Sequence, residues 1–256
     1  MQHTGMSYTT GVGKQLWTFA FNPSDQSLTV TNLARLLSSL FGYYILVKLV
    51  SVFMVAPLAA SIGVSNANTA AIRSAEWHRL LLIMAIAAPI VEEIAFRLPL
   101  RVSPTNFALS CSFVTLGWFS RWFLYQVGLG FLRTNVFEWW LWRGSLALFA
   151  GLACFGVMHI DRINKFARTI WSSHFKYVVY GSCLCFGLAH LENMRFSTPA
   201  PTAMLVAPLL TVPQILAGLI LSFTRVRLGI IWSIVLHSAN NLLLVAFATL
   251  RFSVTF

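Results

Sequence analysis

The chain has 256 residues, 57% of them hydrophobic and 10% charged, with a mean hydropathy of +0.74. Soluble domains carry about 25% charged residues, so this composition excludes a soluble fold and predicts an all-α, polytopic transmembrane helix bundle. The formal charge of +11 does not point to nucleic acid, because Lys and Arg stand at the ends of apolar runs and form no basic stripe.

Residues 1–35 read as an N-terminal cytoplasmic or interfacial segment. Lys14, Asn22, Pro23 and Asp25 break up its apolar pieces, so no cleavable signal peptide is expected. Residues 36–256 read as a single helical membrane domain. Crossing about 30 Å of hydrocarbon takes about 20 apolar residues, and on that measure seven spans are predicted, at 36–59, 78–98, 106–127, 137–160, 175–194, 203–224 and 228–250. Lys48 falls inside the first, where snorkelling is the usual outcome. His78 and Arg79 open the second at the interface. Arg121 interrupts the third, which could instead lie along the membrane surface. The linkers 63–75 and 161–173 are the most polar.

With seven spans, Lys14, Arg35, Arg101, Arg162, Lys165, Arg168, Lys176, Arg225 and Arg227 share one side of the membrane. Arg73, Arg79, Arg133, Arg143, Arg195 and Arg251 lie on the other. That bias predicts a cytoplasmic N-terminus. Trp139, Trp140, Trp142 and Trp171 read as headgroup anchors, and Pro89, Pro99 and Pro213 as helix bends. Cys111, Cys154, Cys183 and Cys185 fall in apolar segments and are expected as free thiols, not as a disulfide set or a zinc site.

Only seven residues are acidic, yet two of them, Glu92 and Glu93, are adjacent within the apolar run from Leu80 to Leu100. An ionised acid at the centre of a spanning helix costs roughly 2.5 to 3.5 kcal/mol, so such acids usually face an interior cavity and mark function. Glu93 and Arg97 are four residues apart and share a helix face, whereas Glu92 points about 100° away. Glu93 is therefore the expected structural partner of Arg97, and Glu92 is left for chemistry such as general-base catalysis. Two later apolar helices are also interrupted by polar groups. Phe186 and His190 share one face, and so do His237 and Asn241.

In this order, Glu-Glu-x-x-x-Arg (Glu92, Glu93, Arg97), Phe-x-x-x-His (Phe186, His190) and His-x-x-x-Asn (His237, Asn241) resemble the CPBP intramembrane protease family. Its members include type II CaaX prenyl proteases and bacteriocin-processing enzymes. The resemblance covers about residues 78–250. It implies that Glu92 and His190 activate a water, that His237 and Asn241 stabilise the oxyanion, and that Glu93, Arg97 and Phe186 support them. No metal or other cofactor is implied; zinc is the alternative, with Glu92, His190 and His237 as its ligand set. The implied partners are the lipid bilayer and a peptide or protein substrate, membrane-associated or lipidated, with no nucleic acid. Phe155-Gly156-Val157-Met158-His159 competes with the second motif. His190 is preferred because the polar Asp161-Arg162 follows directly after His159. A proton-coupled transporter and a non-catalytic scaffold remain the alternative functions.

Overall fold

The computed structural model describes residues 11–25, 32–66, 77–126, 135–197 and 200–253. Helix α1 (Val12–Phe21) precedes the long α2 (Leu33–Ser61), and a short strand β1 (Val64–Asn66) follows. Helix α3 (77–96) ends in a 3₁₀ turn at Leu98–Leu100, and α4 covers 104–126. Then come α5 (Val136–Met158), α6 (Asp161–Ser173) and α7 (Phe175–Ala189). A 3₁₀ turn (His190–Asn193) leads to β2 (Met194–Phe196), and α8 (Ala200–Leu228) and α9 (Ile230–Ser253) complete the fold.

Four stretches are long and apolar enough to cross a membrane among the described residues: Leu33–Ser61, Val136–Met158, Leu205–Leu228 and Ile230–Phe247. The chain is an integral membrane protein. These four coincide with the first, fourth, sixth and seventh predicted spans. The other three predicted spans are helical too but do not meet that requirement among the described residues, so the count of seven is not confirmed.

The interruptions in α2 and α3 have a cause in the sequence. Proline lacks an N–H and its ring displaces the carbonyl four residues earlier. Pro57 and Pro89 each follow a π-helical run, Ser51–Val55 and Leu81–Ala87. Just before each proline the backbone reaches back five residues, from Ala56 to the Ser51 carbonyl and from Ala88 to that of Ile83. Such π-turns keep buried carbonyls satisfied where water cannot.

Several local expectations change in the fold. The linker 161–173 is the amphipathic helix α6, with no buried residue. Trp139 is buried instead of anchoring at the surface, while Trp140 and Trp142 stay exposed. Arg143, expected at a membrane face, is buried: it donates from Nε to Ser120 Oγ at 3.0 Å and stacks 4.5 Å from the Trp140 ring. Its guanidinium hydrogens have partners there that a lipid-facing position would not supply. An antiparallel ribbon pairs β1 with β2, Val64 opposite Phe196 and Asn66 opposite Met194, and satisfies backbone groups between helices. The linker beyond Asn66, Arg73, Arg133 and the side chain of Arg251 lie outside the described residues.

The core lies where α1, α2, α7, α8 and α9 meet, around Phe19, Leu40, Phe186, Leu221 and Phe223. One residue, Gly229, separates α8 from α9, and it takes φ +108°, a conformation that L side chains rarely adopt. This reversal brings the face of α9 that carries His237 back against α3.

Candidate active site

Helix α3 carries Glu92 close to its C-terminus, where the last carbonyls of a helix lack partners of their own. Side chains from three other helices supply them. Ser110 Oγ donates to the Ala95 carbonyl and Ser182 Oγ to that of Phe96, both at 2.6 Å. Arg225 donates from Nε to the Arg97 carbonyl at 3.2 Å and from Nη2 to that of Leu98 at 3.5 Å. The turn beyond is held by the Trp171 indole, which donates to the Pro99 carbonyl at 2.9 Å. The acid-bearing end of α3 is thereby fixed to α4, α6, α7 and α8.

The two acids have different surroundings. Glu93 and Arg97 are fully buried, 3.7 Å apart on one helix face. Ser233 Oγ lies 2.5 Å from Glu93 Oε2, and His237 Nδ1 lies 3.0 Å from Oε1. The Arg97 guanidinium stacks 3.7 Å over the Phe186 ring. Gly218 leaves it room, since a Cβ there would stand 3.0 Å from Arg97 Nη2. Glu92 keeps 20% of its side chain exposed, and its Oε2 has no hydrogen-bond partner among the described residues. That oxygen is 3.9 Å from His190 Nε2 and 3.7 Å from His237 Nε2.

Chemistry fixes much of the proton placement. A carbonyl oxygen only accepts, so His190 Nδ1, 2.8 Å from the Phe186 carbonyl, carries a proton, and Nε2 of the neutral ring presents a lone pair to Glu92. His237 Nδ1 likewise donates to the Glu93 carboxylate. Asn241 gives one N–H to the Met84 carbonyl at 2.9 Å, and its Oδ1 accepts from Asn240 Nδ2 at 3.1 Å. The second N–H of Asn241 has no partner among the described residues.

Counted along the backbone, His190 stands too far from the start of α7 to meet Glu92. Side-chain direction closes the gap, because Cα–Cβ bonds lean toward the N-terminus of a helix. Helices α3 and α7 run in opposite directions, so the two side chains lean toward each other. They meet at a cavity of about 350 Å³ walled by Ala88, Val91 and Trp118, with Glu92, His190, Glu192 and Asn193 as polar groups. His159 is exposed at the end of α5.

The structure thus brings together Glu92, Glu93, Arg97, Phe186, His190 and His237, while Asn241, one turn beyond His237, is tied to Met84 of α3. Sequence reasoning missed Tyr44, fully buried with its ring centroid 6.4 Å from that of His237, and Ser233. An i,i+4 reading of α9 upstream from His237 would have found Ser233. Among the described residues, no three His, Cys, Asp or Glu side chains form a metal-ligating group.

Comparison with curated proteins finds no match, and neither does comparison with solved structures. A protein-family model described as type II CAAX prenyl endopeptidase Rce1-like matches residues 120–243. The match contains His190, His237 and Asn241, whereas Glu92, Glu93 and Arg97 precede it and reach the site through α3. The matched residues 120–243 are just under half of the chain, and over them the chain is similar to Rce1-like type II CAAX prenyl endopeptidases, which agrees with the resemblance to the CPBP/CAAX proteases.

Proposed function

We propose that the chain is an intramembrane endopeptidase in which Glu92 and His190 activate a water for attack on a peptide carbonyl. The observation that carries this reading is the Glu92 oxygen facing both imidazole Nε2 atoms at 3.7 and 3.9 Å beside a cavity. These spacings exceed a direct hydrogen bond but fit a water within bonding reach of the acid and a ring.

The water donates one hydrogen to Glu92 and the other to His190 Nε2, and its oxygen forms the new bond to the carbonyl carbon while Glu92 takes the proton. The oxyanion needs donors. Asn241 supplies its second N–H, and His237, oriented by the Glu93 carboxylate at Nδ1, supplies Nε2–H in its doubly protonated form. Collapse breaks the C–N bond, and Glu92 returns its proton to the leaving amine. Arg97 holds Glu93 ionised opposite His237. We place the N-terminus on the cytoplasmic side, from the Lys and Arg bias of the seven-span reading.

The family description makes a prenylated C-terminal peptide the first substrate to try. Purified protein in liposomes is expected to cleave it, or a peptide found by comparing cells that express wild type and E92Q. E92Q is expected to lose activity by at least ~100-fold while keeping its unfolding temperature. E92Q cleaving at the wild-type rate overturns the reading, and uptake driven by a proton gradient in place of cleavage favours a transporter.

A further inference from the structure

Helix α6 joins α5, which is long and apolar enough to cross a membrane, to α7. It cannot cross one itself: its 13 residues reach only about 20 Å against about 30 Å of hydrocarbon. Ile163, Phe166, Ala167, Ile170 and Trp171 recur at three- and four-residue spacing and form an apolar stripe along it. The C-terminal end of that stripe is tied to the protein. The Trp171 indole donates to the Pro99 carbonyl at 2.9 Å, and its ring packs on Phe107 with centroids 4.9 Å apart. These contacts fix how the helix is turned, and they leave Phe166, nearer its start, 65% exposed.

Positive charge stands beside that exposed ring. Arg162 comes four residues before Phe166 and three before Lys165, so the three side chains are neighbours on one edge of the helix, and all three are exposed. Arg168 lies beyond Lys165 and donates from Nε to Asn164 Oδ1 at 2.8 Å. Three bases against the single acid Asp161 leave the helix with a charge of +2. On the apolar side, exposed residues lead up to this edge: Phe149, Leu152 and Phe155 along α5, then Ile160, 52% exposed, just before α6. A free phosphate satisfies the bases and leaves Phe166 and Ile160 in water. A phospholipid of negative headgroup serves both, with acyl chain for the rings and aliphatic groups and a phosphate for the bases, whereas a zwitterionic headgroup brings no net charge to offset theirs.

We propose that the edge of α6 formed by Phe166, Arg162 and Lys165 is a binding site for an anionic phospholipid, its acyl chain lying against Phe166 and Ile160 and its phosphate held by Arg162 and Lys165. The site uses none of the groups assigned to peptide hydrolysis and stands whether or not that assignment holds. Purified full-length protein in a neutral detergent is titrated with phosphatidylglycerol, phosphatidylcholine or inorganic phosphate, and binding is read from the rise in unfolding midpoint that a ligand of the native state produces. Affinity comes from the concentration dependence, so a variant of lower intrinsic stability is still read. Phosphatidylglycerol is expected to bind at least about tenfold more tightly than phosphatidylcholine, and phosphate to give no rise. R162Q/K165Q is expected to weaken phosphatidylglycerol binding about 25-fold, about fivefold for each charge lost, and to leave phosphatidylcholine binding within about twofold. F166S is expected to weaken both lipids about tenfold or more, the scale of exposing a phenyl ring. K14Q/R35Q removes two exposed bases of α1 and α2 and is expected to change phosphatidylglycerol affinity less than about twofold. Equal affinity for the two lipids, wild-type affinity in R162Q/K165Q, an equal loss in K14Q/R35Q or an equal rise with phosphate alone overturns the proposal. A protein mass in detergent that falls from dimer to monomer in F166S also overturns it, since a second copy then covers this edge.

Discussion

The two Phe-Gly-x-x-His segments, Phe155 to His159 and Phe186 to His190, are alike in sequence and in local geometry. Each closes a helix, and in each the His Nδ1 donates to the Phe carbonyl four residues back at 2.8 Å. The Phe and His rings are 4.1 Å apart in the first and 4.6 Å in the second. Their surroundings differ entirely. Phe155 and His159 are exposed, and a Cβ on Gly156 would meet nothing within 4 Å. Phe186 is buried under Arg97, Gly187 is pressed against α8, and His190 faces Glu92. The motif therefore sets a ring's rotamer and tautomer, while packing by other helices decides whether the free nitrogen meets an acid.

Truncating the two phenylalanines should separate the segments most widely. F186A removes a buried ring and the face on which Arg97 rests, so it is expected to destabilise the protein by roughly 3 to 5 kcal/mol. F155A should change the thermal unfolding midpoint little, and equal losses in the two variants would break the contrast.

The glycines offer a sharper, smaller test. A Cβ at Gly187 would stand 2.5 Å from Ile215 Cγ1 and 3.4 Å from the Thr211 carbonyl, so G187A should cost about 1 to 3 kcal/mol through overpacking. G156A should be neutral, or stabilising by about 0.5 to 1 kcal/mol because alanine favours helix. Denaturant titration in detergent reads both, and a neutral G187A would mean that α8 does not press on this segment.

The helix spacing that pairs Glu93 with Arg97 was legible in the sequence because it is local, and so was the sharing of faces by Phe186 with His190 and by His237 with Asn241. The placement of Lys48 Nζ 5.7 Å from the Tyr44 ring centroid, the burial of Tyr44 and the contact of Ser233 with Glu93, 140 residues away, were not. They depend on which helices pack together, and a hydropathy pattern does not encode that.

The smallest effect is expected at the rim of the cavity. Arg121 of α4 pairs there with Glu192, just beyond His190, and each is more than two-fifths exposed. Such a pair contributes about 0 to 1 kcal/mol, so R121A should shift the unfolding midpoint only slightly. A loss as large as that of F186A would show that α4 is held to the His190 turn by this pair and not by packing.

The most direct measurement is the rate of peptide cleavage by H190A and H159A, reconstituted side by side in the same lipid at equal folded concentration. H190A is expected to lose at least ~100-fold, the scale of a general acid–base group, while H159A keeps the wild-type rate. Wild-type cleavage by H190A, or its loss in H159A alone, would contradict the assignment of the water-activating ring to His190.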